Sequence, residues 1–159
     1  MNILFVCTGN TCRSPMAEAL LKKLCGNIDG LHIASAGIAG CDGAPASRGA
    51  CEAVRSEGMS LEAFSSRRLT RAMAAEADLI LAMTDSHRRA VSALLGGGAA
   101  AGVRLLLDFD GGGEVPDPYG GDFREYRECL KSMRGALEAL ARQLRDGGGK
   151  LPAERFESI

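Results

Sequence analysis

Cys7 and Cys12 stand five positions apart in the stretch VCTGNTCRSP (6–15), and Arg13, Ser14 and Pro15 follow without a gap. Gly9 permits a tight turn, and successive backbone amides leading into a helix form an anion cradle. Arg13 adds a planar fork able to hold two oxygens of a phosphate at once. A cysteine at the mouth of such a cradle has inward-pointing amides, a helix N-terminus and a guanidinium about its sulfur, all of which favour the thiolate. A thiolate held there is poised for in-line attack on phosphorus. Each piece has an ordinary reading too. A lone buried cysteine is more often a small apolar residue, and Gly-Asn is usually only a turn. The combination Cys-x5-Arg-Ser, set between a strand and a helix with Pro at its start, makes Cys7 a candidate nucleophile and Arg13 a candidate phosphate clamp.

The flanking residues predict how that loop is positioned. NILFVC (2–7) is a short, apolar run, as expected of a strand buried on both faces. Pro15 suits a first helical turn, and Met16, Leu20, Leu21 and Leu24 recur behind it at helical spacing. LHIASAG (31–37), DLILAM (78–83) and VRLLLDF (103–109) read as three further strands. Residues 45–58, 72–77 and 85–95 read as helices, the first stopped by Gly58 and the last by the glycines at 96–98. Phe123, Tyr126, Leu130, Met133, Leu137, Leu140 and Leu144 recur in steps of three and four, which predicts a long amphipathic helix. Strands alternating with helices imply an α/β fold, a mainly parallel sheet with helices on both faces. Ligands in such folds bind at the carboxyl ends of the strands, which is where the Cys7 loop falls. Residues 1–146 are expected to form a single domain and 147–159 a flexible C-terminal tail.

Composition narrows the function. The chain has 159 residues, 46% of them hydrophobic and 25% charged, enough for one sizeable core. Its formal net charge is -1, so no global field advertises nucleic acid or an anionic membrane, and anion binding must be local. No apolar run approaches the ~20 residues of a membrane span. The segment before Arg13 carries no positive residue, unlike an export signal. A reducing cytoplasm is therefore expected, with the six cysteines as thiols. Cys and His do not cluster as a zinc site requires, and no metal or cofactor is expected.

At this point the sequence resembles a known family. CTGNTCRSPMAEALL (7–21) is similar to the catalytic loop of the low-molecular-weight protein tyrosine phosphatases. SAG (35–37), FSSRRL (64–69), ADLILAMT (77–84) and DPYGG (117–121) match further family landmarks in order. The resemblance implies a four-stranded parallel sheet flanked by helices, a flavodoxin-like three-layer sandwich. It implies a phosphate-binding loop over Thr8, Gly9, Asn10, Thr11, Cys12, Arg13 and Ser14. Cys7 would be the nucleophile, Arg13 the clamp, Ser14 the stabiliser of the thiolate and Asn10 the residue that holds the loop's shape. Asp117 would protonate the leaving group and then activate water. Without the family, Asp117 between two prolines reads equally as a turn former.

Specificity turns on Thr11. Typical tyrosine phosphatases of the family carry an aliphatic residue there, whereas the loop CTGNTCRSPMAE resembles that of the bacterial protein-arginine phosphatases. A threonine hydroxyl can accept a hydrogen bond from a guanidinium N–H, and Asp117 can grip the same group. Tyr119 would form an aromatic wall suited to either substrate. The expected partners are phosphorylated protein side chains, phosphoarginine ahead of phosphotyrosine, with the chain a monomer. Thr11 has an alternative reading, as a residue that only satisfies the loop's own backbone. A different class, a non-catalytic phosphate-binding module, is disfavoured because Cys7, Arg13, Ser14 and Asp117 are all present.

The resemblance also bears on oxidation. Cys12 lies where a curled loop would bring it to Cys7, in position to trap an oxidised Cys7 reversibly. Cys25, Cys41, Cys51 and Cys129 are expected to be passive. Arsenate reductases on this scaffold need a further central cysteine pair, and no cysteine lies between Cys51 and Cys129. Arg67, Arg68, Arg71, Arg88 and Arg89 are expected on solvated faces, or at the pocket rim as the alternative. His87 is expected on the surface, and neither His32 nor His87 is given a role.

Overall fold

NILFVC forms β1 (Asn2–Cys7), buried from Ile3 to Cys7. The structure, a computed structural model, describes residues 1–96 and 102–152. β1 is followed by α1 (Arg13–Cys25), β2 (His32–Gly37), α2 (Arg48–Arg55), α3 (Arg71–Glu76) and β3 (Leu79–Ala82). The chain continues through α4 (Asp85–Leu94), β4 (Val103–Leu105), a 3₁₀ turn at Leu106–Phe109, and α5 (Phe123–Asp146). The four strands form one sheet in the order β2-β1-β3-β4, with every neighbouring pair parallel.

Alternation along β1 sorts the core into two layers. Ile3, Phe5 and Cys7 face α1, α2 and α5, while Leu4 and Val6 face α3 and α4. Phe5, Val6, Leu79 and Leu81 have no exposed surface, and each such side chain contributes about 1.5–3 kcal/mol of burial. From β1 the chain crosses to β2 on one side and later to β3 on the other. The carboxyl end of β1 is thus a topological switch point, the place where open α/β sheets bind ligands.

Three elements differ from expectation. The strand predicted over 103–109 stops at Leu105. Its partner β3 is only four residues long, and Asp108 Oδ2 accepts from the Leu105 amide at 3.2 Å, turning the chain into the 3₁₀ segment. The helix predicted over 45–58 begins only at Arg48, where Ser47 Oγ accepts from Ala50 N. It ends at Arg55 and unwinds through Gly58 at φ +76°. Phe123, first of the periodic apolar series, is left exposed under the Arg127 guanidinium. The rest of α5 follows the pattern, with Tyr126, Leu130, Met133, Leu137, Leu140 and Leu144 buried. Gly96 lies just beyond α4 at φ +79°, and Gly97 and Gly98 fall outside the described residues. In the segment expected to be a tail, Gly149 N donates to Leu144 O at 2.7 Å and Leu151 packs on the core. Residues 153–159 lie outside the described residues.

Two glycines let the β1–α1 loop close against β2. A Cβ on Gly37 would lie 2.8 Å from Thr8 O and Asn10 N, and one on Gly40 would lie 2.6 Å from Gly9 O. Both obstacles are backbone and cannot rotate away. Gly37→Ala is therefore expected to lower the unfolding free energy by about 1–3 kcal/mol, the range for overpacking, read from the midpoint of urea denaturation. An unchanged midpoint would mean that the loop yields instead.

Candidate active site

Asn10 organises the loop. It is the one non-glycine residue at positive φ among the described residues (φ 56°), and it is completely buried. Its Nδ2 donates to Ser14 Oγ and to Ser35 Oγ, each at 2.9 Å, and its Oδ1 accepts from Arg67 N at 2.8 Å. Ser14 Oγ lies 2.9 Å from Cys7 Sγ, and since a thiolate can only accept, Ser14 donates its O–H to the charged form of Cys7. Ser35 in turn donates to Glu18 Oε2 at 2.5 Å. A relay thus runs from a half-buried carboxylate on α1, through β2 and the loop, to a single sulfur.

Arg13 opens α1, yet only 4% of its surface is exposed. Its Nη1 donates to Val115 O at 3.2 Å, and Nη2 lies 3.5 Å from Asp117 Oδ2. Its Nε is buried with no partner. A buried guanidinium so sparsely paired is costly by itself and is completed by an anion. The start of α1 is suited to the same ligand, since Cys12 at its N-cap makes no capping hydrogen bond through its side chain.

Asp117 makes a turn and faces the Arg13 guanidinium at once. Oδ1 accepts from Tyr119 N at 3.1 Å, which makes the turn, while Oδ2 faces Arg13. Its side chain is 53% exposed, open to a leaving group and to water. The Tyr119 ring two residues on is 80% exposed. The Thr11 carbonyl accepts from Ser47 N at 2.8 Å. The Thr11 hydroxyl takes no such backbone partner among the described residues, its contact being Cys12 Sγ at 3.7 Å.

Set against known proteins, the chain matches a family model, the low molecular weight phosphotyrosine protein phosphatase, over residues 2–149. The chain belongs to this family. A protein-arginine-phosphatase from Bacillus subtilis is 38% identical, over 91% of this chain and 97% of that protein. A low-molecular-weight protein-tyrosine-phosphatase, Etp, from Escherichia coli is 37% identical, over 89% and 90%. The solved structure of the YwlE arginine phosphatase, a C7S mutant with a phosphorylated active site serine, superposes with a TM-score of 0.84 at 35% identity, covering 99% of this chain and 100% of that one. The protein is thus a cysteine-based, low-molecular-weight phosphatase, a hydrolase acting on phosphoprotein residues.

In this low-molecular-weight phosphatase the fold brings Cys7, Asn10, Arg13, Ser14 and Asp117 into one constellation. Cys12 sits in a buried cluster, where its thiol donates to Ser47 Oγ at 3.4 Å and lies 3.3 Å from Tyr126 Oη. Burial and then the Cys12 contact push the Tyr126 phenol up to about 12. Arg67, Arg68, Arg71, Arg88 and Arg89 are exposed. Arg88 and Arg89 pair with Asp85 at 2.6 and 3.0 Å, while the Arg67 guanidinium donates to Ser35 O behind the loop.

Three participants had no role assigned from sequence. Ser35 and Glu18 complete the Asn10 relay, and the only signals for them were that Ser35 lies in the landmark SAG and Glu18 in the stretch CTGNTCRSPMAEALL. His87, expected on the surface, is 6% exposed and bonds Thr8 Oγ1 at 2.8 Å. One turn of helix does not reveal which face another loop will cover.

Cys129 lies beneath the Asp117 segment and donates to Pro116 O at 3.6 Å. Burial pushes its thiol from an ordinary 9.0 up to about 12. A raised folded-state value stabilises the protein below the unfolded value and loses that contribution as pH rises toward the folded one. The unfolding free energy should therefore fall between about pH 9 and 12, and Cys129→Ala should flatten that limb; an identical slope in the variant would assign it to other groups. Tyr126 titrates at the upper end of the same window.

Proposed function

We propose that the protein hydrolyses phosphoarginine in proteins through a phosphocysteine intermediate, in a cytoplasmic setting that keeps Cys7 reduced. The observation that carries the arginine specificity is the Thr11 side chain, whose hydroxyl is not consumed by the loop's own backbone. It is left to accept a guanidinium N–H, and the half-exposed Asp117 carboxylate offers a second acceptor. The names of two similar proteins, an arginine phosphatase and a tyrosine phosphatase, keep both substrates in view.

Arg13 and the loop amides hold the phosphoryl oxygens and neutralise the charge that develops on them. The Cys7 thiolate attacks phosphorus in line, and the P–N bond breaks as Asp117 delivers a proton to the departing guanidine. The S–P bond of the intermediate then breaks as water attacks, its proton passing to the Asp117 carboxylate. Phosphate leaves, and the Ser14 hydroxyl receives the returning sulfur charge at 2.9 Å. The same steps serve phosphotyrosine, with a P–O bond in place of P–N.

Matched peptides carrying phosphoarginine or phosphotyrosine decide between them, with Cys7→Ser as the blank. The expected outcome is a higher kcat/KM on phosphoarginine that falls about tenfold or more in Thr11→Ile, since a site built for polar donors is left unpaired without its acceptor. Preference for phosphotyrosine, little changed by the substitution, would assign Thr11 to loop stability alone.

We further infer that Cys12 protects Cys7. Peroxide converts Cys7 to a sulfenic acid, and the Cys12 thiol condenses with it, forming the disulfide and releasing water. All six cysteines are free thiols in this structure. Peroxide-inactivated protein should regain activity with a thiol reductant and show a Cys7–Cys12 bridge by mass spectrometry, and Cys12→Ala should recover far less. Equal recovery in Cys12→Ala would rule the protection out.

A further inference from the structure

His87 is the buried titratable residue that the reaction steps leave unused. It occupies the third position of α4, where its backbone N–H is capped by Thr84 Oγ1 at 3.3 Å. Its Nε2 lies 2.8 Å from the hydroxyl of Thr8, the residue after the candidate nucleophile, and its Nδ1 is buried without a partner. A buried, unpaired N–H costs more than an unpaired lone pair, which assigns the proton to Nε2 and makes it the donor to Thr8. The ring is neutral: burial and then the Arg13 guanidinium push it below its usual range, against the opposing pull of Asp117 and Glu114. Asp85, on the same helix, is occupied by Arg88 and Arg89.

The same turn holds the other half of the site. Met83 N donates to Val6 O at 3.2 Å, and Met83 O accepts from Val115 N at 2.9 Å. The Asp85 amide donates to Glu114 Oε1 at 2.7 Å. One short stretch, residues 83–87, therefore grips β1 and Thr8 on one side and the segment leading to Asp117 on the other. Among the described residues, the bonds that join those two sides directly run through Arg13, whose Nη1 also reaches Val115 O.

We propose that the turn between β3 and α4 is a bracket that registers the nucleophile loop against the Asp117 segment, with His87 as its positioning residue on the loop side. The proposal rests on Cys7 and Asp117 acting as described above. It does not depend on which phosphorylated side chain is the substrate.

The test uses the full chain, p-nitrophenyl phosphate as substrate and vanadate as inhibitor. His87→Leu retains the apolar volume but removes the bond to Thr8. It is expected to lower kcat/KM about ten- to a hundredfold, mostly in kcat, as small misplacements of reacting groups do, and to weaken vanadate binding. His87→Gln, which can present an N–H at similar reach, should recover most of that loss. Thr8→Val should reproduce the defect, and the double variant His87→Leu/Thr8→Val should be no worse than either single one, because both remove the same contact. Parental kinetics in Thr8→Val, an exposed position that does not threaten folding, would overturn the proposal. So would a melting temperature that drops in His87→Leu with kcat/KM unchanged, or losses that multiply in the double variant. Cys7→Ser is the blank; turnover there equal to the parent would remove the nucleophile and the bracket together.

Discussion

The left-handed backbone of Asn10 is the constraint from which the rest of the site follows. A non-glycine residue is held at φ 56° only where its surroundings over-determine it, and here three hydrogen bonds from one amide side chain do so. That single conformation curls residues 7–13 into a cradle. It also holds Ser14 Oγ, which Asn10 bonds, within 2.9 Å of Cys7 Sγ. The backbone strain and the chemistry therefore share one cause.

Closing the cradle imposes conditions elsewhere. The end of β2 and the turn after it must present glycine where the loop passes, and Gly37 and Gly40 satisfy this. The guanidinium of Arg13 must be buried to line the cradle, which leaves its Nε unpartnered and its charge offset, among the described residues, by a carboxylate at 3.5 Å. A site in this condition is built to be completed by an oxyanion, and the same incompleteness gives phosphoryl groups their hold. Asp117 is left half exposed, as the acid of the proposed reaction must be to meet a leaving group and then water. Burial is thus distributed by role, nearly complete for Cys7, Asn10, Arg13 and Ser14 and partial for Asp117.

Much of this was legible in the residues themselves. β1 and α5 carried strong patterns because burial on both faces, or on one helical stripe, selects composition along every residue of the element. Cys7, Arg13 and Ser14 were legible because their chemistry depends on spacing within one loop, which the chain expresses directly. β4 and α2 were overextended for a complementary reason. An apolar run does not record how long its partner strand is, and helical periodicity does not record that Ser47 caps three residues into the pattern.

The sequence by itself determined the α/β class, the strand-to-helix loop and the candidate nucleophile and clamp, because each is set by local propensity or by near-neighbour spacing. Only the tertiary structure decided that Asp117 meets Arg13 across more than a hundred residues, that Glu18 and Ser35 complete the Asn10 relay, and that His87 is buried against Thr8 rather than on the surface. Those contacts depend on how strands cross over and which helix covers which face. That information is spread over the packing of the whole sheet, and no short stretch of residues holds it.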